Sequence, residues 1–197
     1  MDVIFNWLSA NIIEVAATVL GISYVLLAIK QNIWCWLLGI VSVALYIIIF
    51  FTERLYGDAA LQLFYLFFGF YGWYHWYFGS AKPNSLPVTS IPKKTAWVLA
   101  VAIALSSFVF GYVLSFTDSD IPYWDGFTTA LGLAATWMTA RKYLENWLLW
   151  IFANAVCVGV YYYKGLYPTV FYYIILALLA YRGYTIWKKD IKTTKDG

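Results

Sequence analysis

The sequence predicts an all-α integral membrane protein whose seven transmembrane helices form a parallel 3+1+3 repeat. Three observations carry this prediction: the composition, seven long apolar segments, and a repeat at a constant offset. The 197-residue chain is 63% hydrophobic and only 12% charged, with a mean hydropathy of +0.69. A soluble domain is about half apolar and a quarter charged. We therefore expect a single transmembrane domain over residues 1–197.

Seven segments have the length and composition of spanning helices, which need about 20 mostly apolar residues. They cover residues 9–29, 33–52, 58–78, 95–115, 124–140, 146–163 and 168–187. Between the third and fourth segments, Pro83, Pro87 and Pro92 indicate a linker over residues 79–94. The tail from Lys188 onward is polar, and we expect it to fray.

The basic residues predict how the chain is oriented in the membrane. Eleven of the 13 Lys and Arg residues lie in the loops after the first, third and fifth helices or toward the C-terminal end, whereas only Arg54 and Lys164 lie on the other side. Because cytoplasmic loops carry the excess of Lys and Arg, the N-terminus is predicted outside and the C-terminus in the cytoplasm. The outer side carries acidic residues that would attract a cation: Glu53, Asp58, Asp118, Asp120 and Asp125.

The second half of the chain repeats the first half at an offset of 111 residues. The matched positions include Trp36 with Trp147, Gly72 with Gly183, and Trp76 with Trp187. The repeat relates residues 9–78 to residues 124–187 and leaves the linker and a central helix, residues 79–115, between them. One intervening helix makes both halves enter the membrane from the same side, as in sugar-exporter-type folds.

The halves differ at two positions whose side chains in the second half could bind a ligand. Trp150 corresponds to Gly39, and Asn154 corresponds to Val43. One half therefore supplies a ring and an amide where the other supplies smaller or purely apolar side chains. An asymmetric site suits an asymmetric ligand, whereas an ion pore would repeat its coordinating groups.

The sixth predicted helix carries these residues in the spacing W-x-x-W-x-x-x-N. Trp147, Trp150 and Asn154 fall on one helix face, and Tyr143 and Tyr161 extend it. An amide at membrane depth is costly unless it faces protein, water or a ligand, and indole faces suit a flat cationic ring. This stripe is therefore a candidate substrate-binding site. The alternative interpretation is an interfacial aromatic belt with an asparagine that joins helices.

The repeat indicates further candidate positions for substrate binding. Glu14 and Thr18 correspond to Asp125 and Thr129, and each pair is spaced i, i+4 on one helix face. Glu14 is expected to be buried with a partner, whereas Asp125 lies where a helix begins. Trp187 is expected to be an interfacial anchor. Further candidates on the third predicted helix are Asp58, Gln62 and Tyr65.

Residues 138–143 (M-T-A-R-K-Y) and 145–150 (E-N-W-L-L-W), with Asn154, resemble the PnuC family of vitamin transporters. Similar positions elsewhere are Leu55, Tyr56, Gln62, Tyr71, Gly72, Trp73, Tyr74, Trp76, Trp124 and Asp125. The resemblance implies a bacterial inner-membrane facilitator of nicotinamide riboside with seven core helices. It also implies a homotrimer and trapping of the substrate by intracellular phosphorylation. Relatives can carry an amide near Ser42, which is a further candidate, and related transporters carry thiamine, the alternative substrate.

Other classes of function are less well supported by the sequence. An enzyme is not expected, because no nucleophile–base pair, phosphate loop or H-E-x-x-H run is found. No cofactor or metal is expected, and the net charge of +3 follows the membrane topology rather than indicating nucleic acid. The expected partners are a small cationic vitamin, the lipid bilayer and further copies of the chain. A non-transporting scaffold and a proton-coupled carrier remain as alternatives.

Overall fold

A computed structural model describes residues 12–52, 54, 56–80, 86–117 and 119–196. These residues form seven α-helices, which confirms the all-α class. They are α1 (Ile12–Ile29), α2 (Trp34–Thr52), α3 (Tyr56–Phe78), α4 (Lys93–Leu114), α5 (Pro122–Ala140), α6 (Asn146–Tyr163) and α7 (Tyr167–Asp196). Residues 9–11, with which we expected the first helix to begin, lie outside the described residues.

The last helix does not end where the sequence predicted. The expected fraying from Lys188 is wrong, because α7 continues to Asp196. No glycine or proline follows Gly183 before that residue, so nothing in the sequence interrupts the helix.

Four of the described helices are long and apolar enough to cross a membrane: α1, α2, α4 and residues Tyr167–Ile191 of α7. The other three, α3, α5 and α6, have 23, 19 and 18 residues. At about 1.5 Å per residue, 18 residues span about 27 Å, close to the hydrocarbon thickness of a bilayer. These three helices also carry most of the polar candidates for the site, which lowers their mean hydropathy.

The chain divides into two compact units, residues 1–86 and residues 87–197, and the boundary falls in the predicted linker. In the first unit, α2 packs against both α1 and α3. In the second unit, each of the helices from α4 to α7 packs against the next one in the chain. Consecutive helices thus pack together within each unit, as short connections favour.

A tryptophan pair forms the core of the first unit. The rings of Trp36 on α2 and Trp76 on α3 meet edge to face, with centroids 5.5 Å apart. Gly72 lies one turn before Trp76, and a side-chain carbon added there would overlap the Trp36 ring. Glycine at this position therefore lets α3 approach the indole closely.

The second unit contains the same arrangement at the matched positions. Trp147 on α6 and Trp187 on α7 meet edge to face, with centroids 5.3 Å apart. A Cβ at Gly183 would lie 2.6 Å from the Trp147 ring. Trp187 is 0% exposed, so the expectation of an interfacial anchor is wrong. It lies one helical turn after Gly183 and therefore faces the same tryptophan of α6.

Helix α5 is the most buried helix of the second unit, and its buried positions are mostly small. A side-chain carbon at Gly126 would overlap the backbone of Gly111 on α4, so the two helices approach closely there. Small residues at such contacts permit backbone-to-backbone packing in membrane proteins. The other end of α5 carries the buried Thr136 and Thr139.

The end of the linker is held against the loop between α5 and α6. The Leu144 N–H donates to the Thr89 carbonyl at 2.8 Å, and the Thr89 N–H donates to the Lys142 carbonyl at 3.1 Å. The Ile91 N–H donates to Oε2 of Glu145 at 2.9 Å. Residues 87–92 therefore belong structurally to the second unit and form a strap, which we call the linker strap.

Candidate functional site

The candidate site is built around Trp150, which lies on α6 and is half-buried. Its indole N–H donates to Oγ1 of Thr139 at 3.3 Å. In the described part of the chain, no other aromatic ring packs on the Trp150 indole. The N–H edge of the ring is thus held by the protein, while its flat faces are free of ring contacts. Such a face can attract a flat cation through the ring quadrupole.

Asn154 lies one helical turn after Trp150 and is 4% exposed. No hydrogen bond joins its side chain to another residue in the described ranges. A buried amide without a partner costs roughly 1–3 kcal/mol, so a bound ligand or water that satisfies it is favoured. The amide offers two donors and one acceptor oxygen, enough to recognise a carboxamide or hydroxyls.

Trp147 has a different environment, although it was predicted on the same stripe. Its ring is 3% exposed and is covered by Gly183 and Trp187 of α7. Among the described residues, its indole N–H finds no hydrogen-bond acceptor. The structure therefore separates the two tryptophans: Trp147 packs α6 against α7, and Trp150 is the one with faces free of ring contacts.

The two tyrosines expected to extend the stripe also differ from each other. Tyr143 lies in the loop before α6, with its ring 5.9 Å from that of Trp137, so it does not extend a helical face. Tyr161 does lie on α6 and stacks on Tyr173 of α7, with centroids 5.1 Å apart and planes 12° apart. One face of Tyr161 is thus occupied by protein.

At the start of α5, Asp125 and Thr129 lie one turn apart. Asp125 is in the first turn, as predicted, and one of its carboxylate oxygens, Oδ2, accepts a hydrogen bond from Oγ of Ser119 at 2.7 Å. Thr129 is half-buried on the following turn. The Asp125 carboxylate therefore fixes the segment that precedes α5, which is a structural role for this acid.

In the first unit, Thr18, which corresponds to Thr129, and Ser42 both join α1 to α2. The hydroxyls of Thr18 and Tyr46 are 2.9 Å apart, and Ser42 donates to the Ala17 carbonyl at 2.7 Å. Both contacts satisfy polar groups between helices, as serine and threonine often do in membranes. Glu14 is exposed in the first turn of α1, so the expected buried position with a partner is wrong.

Three candidates on α3 share one face because they are spaced by four and three residues. Asp58 is exposed in the first turn, whereas Gln62 and Tyr65 are half-buried. Asp58 and Tyr65 also make further interactions within the described chain. Gln62 is the one amide side chain of α3.

Two residues close to Trp150 were not predicted as part of the site. Thr139 and Asn146 are both buried and hydrogen-bonded to each other. Thr139 lies within the run 138–143 that carries the family resemblance, which is the one sequence signal that pointed to it. Within the described residues, no group of three or more His, Cys, Asp or Glu side chains lies close enough to hold a metal ion.

The chain is similar over most of its length to known transporters. It is 29% identical over 201 residues to the nicotinamide riboside transporter PnuC of Escherichia coli (strain K12), covering 89% of this chain and 84% of that protein. It is 28% identical over 199 residues to the protein of the same name from Neisseria mucosa, covering 95% and 74%. The fold matches the crystal structure of the vitamin B3 transporter PnuC with a TM-score of 0.74 and 24% identity, over 98% of this chain and 87% of that chain.

The family match spans nearly the whole described chain. The family model described as nicotinamide mononucleotide transporter matches residues 11–189, which include all seven helices except the end of the last. The relatives named PnuC and the shared fold agree with it. The chain therefore belongs to the nicotinamide mononucleotide transporter family, the PnuC family, whose members are membrane transporters and not enzymes.

Proposed function

We propose that this chain mediates facilitated diffusion of nicotinamide riboside across the bacterial inner membrane. The observation that carries the proposal is a pairing on α6. Trp150 offers an indole face free of ring contacts in the described chain, and Asn154 offers a buried amide one turn away. The names of the relatives from Escherichia coli and Neisseria mucosa support the same substrate.

The chemistry of the ligand fits these two side chains. The nicotinamide ring of nicotinamide riboside is flat and cationic, and it carries a carboxamide and a ribose. A desolvated cation over an indole gains about 2 kcal/mol or more. Asn154 would exchange hydrogen bonds with the carboxamide or the ribose, each worth roughly 0.5–1.5 kcal/mol. Trp150 thus supplies most of the affinity, and Asn154 supplies selectivity for a polar substituent.

The remaining candidates are assigned supporting roles. Thr129, in the same unit as Trp150, is half-buried and carries a hydroxyl that can hydrogen-bond a ribose, while Gln62 and Tyr65 stay candidates on the sequence pattern alone. Tyr161 stacks on Tyr173 and is retained as a candidate contact because it lies on α6, the helix of Trp150 and Asn154. Roles in helix packing, rather than direct contact with the ligand, are assigned to Trp147, Thr18 and Ser42.

We extend the proposal to the arrangement of the chain in the membrane. The N-terminus is outside and the C-terminus is cytoplasmic, as the distribution of Lys and Arg favours. The two halves form a parallel 3+1+3 repeat, and three copies of the chain assemble as a homotrimer. The equivalent clusters Trp36–Gly72–Trp76 and Trp147–Gly183–Trp187 support the repeat, because each is formed within its own unit with nearly the same geometry.

Transport is proposed to need no ion gradient. Proton-coupled carriers use carboxylates or histidines deep in the membrane, but Glu14 is exposed and Asp125 bonds Ser119. The membrane potential attracts a cation inward by about 2.3 kcal/mol per charge per 100 mV. Phosphorylation inside the cell then traps the substrate, so no further driving force is required.

Equilibrium binding to the purified protein tests the substrate. Nicotinamide riboside and thiamine are titrated separately by calorimetry, because both are flat cations that an indole face would accept. Saturable binding of nicotinamide riboside, tighter than that of thiamine, is expected. Tighter binding of thiamine would replace the proposed substrate with the alternative, and binding of neither would refute the transport proposal.

A further inference from the structure

We propose that Thr139 is a positioning residue for ligand binding: its hydroxyl holds the indole N–H of Trp150 and so fixes the plane on which the ligand stacks. This inference rests on the proposed function, because it concerns the same indole face. Thr139 lies on α5 and is fully buried, so it does not itself reach the ligand face. Its effect on the ligand would pass through Trp150.

The contact fixes the orientation of the Trp150 indole. The Trp150 indole is half-buried, and within the described residues its N–H makes one hydrogen bond, to Oγ1 of Thr139 at 3.3 Å. No other ring in the described chain packs on it. Cation–π attraction depends on a cation lying over the ring face. An indole that rotated away from this bond would present its edge instead.

The Thr139 hydroxyl is itself oriented so that it must accept from Trp150. It lies 2.8 Å from the Ala135 carbonyl and 3.1 Å from Oδ1 of Asn146, and both of these atoms are acceptors. A hydroxyl has one proton and two lone pairs. The proton points to one acceptor or the other, and a lone pair remains for the indole N–H in either case.

Asn146 completes this arrangement from the first turn of α6. Its Nδ2 donates to the Tyr143 carbonyl at 2.6 Å, so the amide oxygen is turned toward Thr139. The carbonyl cannot donate, and a flipped amide would place two acceptors against each other. Three buried or half-buried groups thus form a directed path from the loop before α6 to the indole of Trp150.

The chain contains a matched control for Thr139 on the same helix. Thr136 is also buried, and its hydroxyl makes the same bond one turn back, to the Gly132 carbonyl at 2.8 Å. Within the described residues it makes no bond to Trp150. Thr136→Val and Thr139→Val therefore remove the same hydroxyl from the same kind of environment, and only the second removes the acceptor of the indole N–H.

The test is a double-mutant cycle measured as the Kd of nicotinamide riboside for the purified full-length protein. Thr139→Val is expected to weaken binding about threefold to tenfold, the range expected for one hydrogen bond. Thr139→Ser should restore binding, and Thr136→Val should leave it unchanged. In a Trp150→Phe background, which keeps an aromatic face but has no N–H, Thr139→Val should have no further effect.

An equal loss in both backgrounds, or an equal loss for Thr136→Val, would overturn the positioning role. A second measurement needs no variant at position 139. The indole N–H signal of Trp150, assigned by its absence in Trp150→Phe, should exchange with solvent more slowly than that of N-acetyltryptophanamide in the same detergent buffer. Equally fast exchange overturns the proposal. Absence of any binding by the wild-type chain would instead refute the proposed function.

Discussion

The ring of Tyr24 on α1 lies against Gly39 on α2, where a Cβ would come within 3.0 Å of Cδ2 of the tyrosine. At the corresponding positions of the second half, the residues are Ala135 on α5 and Trp150 on α6. The large ring thus lies on the first of the three helices in the first half and on the second of the three helices in the second half. Only the second half therefore carries an indole at this position of its second helix, although both halves contain the buried tryptophan pair.

The two glycines beneath the tryptophan pairs are expected to be intolerant of alanine. Gly72→Ala and Gly183→Ala would each push a carbon into a packed indole ring, and overpacking of this kind costs about 1–3 kcal/mol. Thermal denaturation in detergent should show a lower Tm for both variants. The control is Gly159→Ala on α6, where nothing lies within 4 Å of the added carbon. Helix propensity predicts a Tm that is unchanged or higher there.

Trp150→Ala should weaken binding of nicotinamide riboside by at least about tenfold, because it removes a contact worth about 2 kcal/mol. Asn154→Ala should weaken binding by a smaller factor, since one hydrogen bond contributes roughly 0.5–1.5 kcal/mol. Isothermal titration of the purified variants measures both. Trp97→Ala is the control, because Trp97 is exposed on α4. A larger loss for Trp97→Ala than for Trp150→Ala would mean that the site is misplaced.

Trp187 cannot serve as such a control, since it is fully buried against Trp147. Its replacement by alanine would leave a cavity, and large-to-small substitutions of this size cost about 3–5 kcal/mol. We expect Trp187→Ala to lower the Tm more than Gly72→Ala or Gly183→Ala does. A Tm within about one degree of the wild type would contradict the packing that the structure describes.

Glu145→Ala should release the linker strap from the α5–α6 loop. The variant removes the side-chain acceptor of the Ile91 N–H, and hydrogen bonds to charged groups are worth about 1.5–3 kcal/mol. Hydrogen–deuterium exchange at the amides of residues 88–91 should therefore rise by about tenfold or more. Glu145→Gln keeps an amide oxygen in place and should largely preserve protection. Equal exchange in the alanine variant and the wild type would show that the strap is held by its other bonds.

The orientation of the chain is tested by a reporter that is active only in the cytoplasm, fused after Gly197. Activity is expected, because the excess of Lys and Arg predicts a cytoplasmic C-terminus. The matched fusion places the same reporter between α6 and α7, on the predicted outer side, and should be silent. A silent but stably expressed C-terminal fusion would reverse the assignment.

Transport should not respond to proton or sodium gradients. Purified protein in vesicles at a clamped potential is expected to bring nicotinamide riboside only to its external concentration, since the proposed mechanism has no ion site that biases the conformations. Imposing a membrane potential, negative inside, should increase accumulation because the substrate is a cation. Accumulation driven by a proton gradient alone would contradict facilitated diffusion and direct attention to Glu14.

The site was predictable from the sequence to a limited degree. The spacing W-x-x-W-x-x-x-N indicated Trp150 and Asn154, because a helical period places them on one face. It could not indicate Thr139, whose hydroxyl reaches the indole from another helix. Glu14 was misjudged because burial depends on which side chains of other helices pack against a position, which the hydropathy of one segment does not report.

The sequence by itself determined the seven helices and most of their ends, because a backbone in lipid must satisfy its own hydrogen bonds and about 20 apolar residues are needed to span. Only the tertiary structure distinguished the environments of Trp147 and Trp150. Trp147 and Trp150 lie on one broad helix face, but α7 brings Gly183 and Trp187 against the first and leaves the second free of ring contacts within the described chain. The difference between the two tryptophans depends on residues of α7, which are distant in sequence. The helical period of α6 alone therefore cannot predict it.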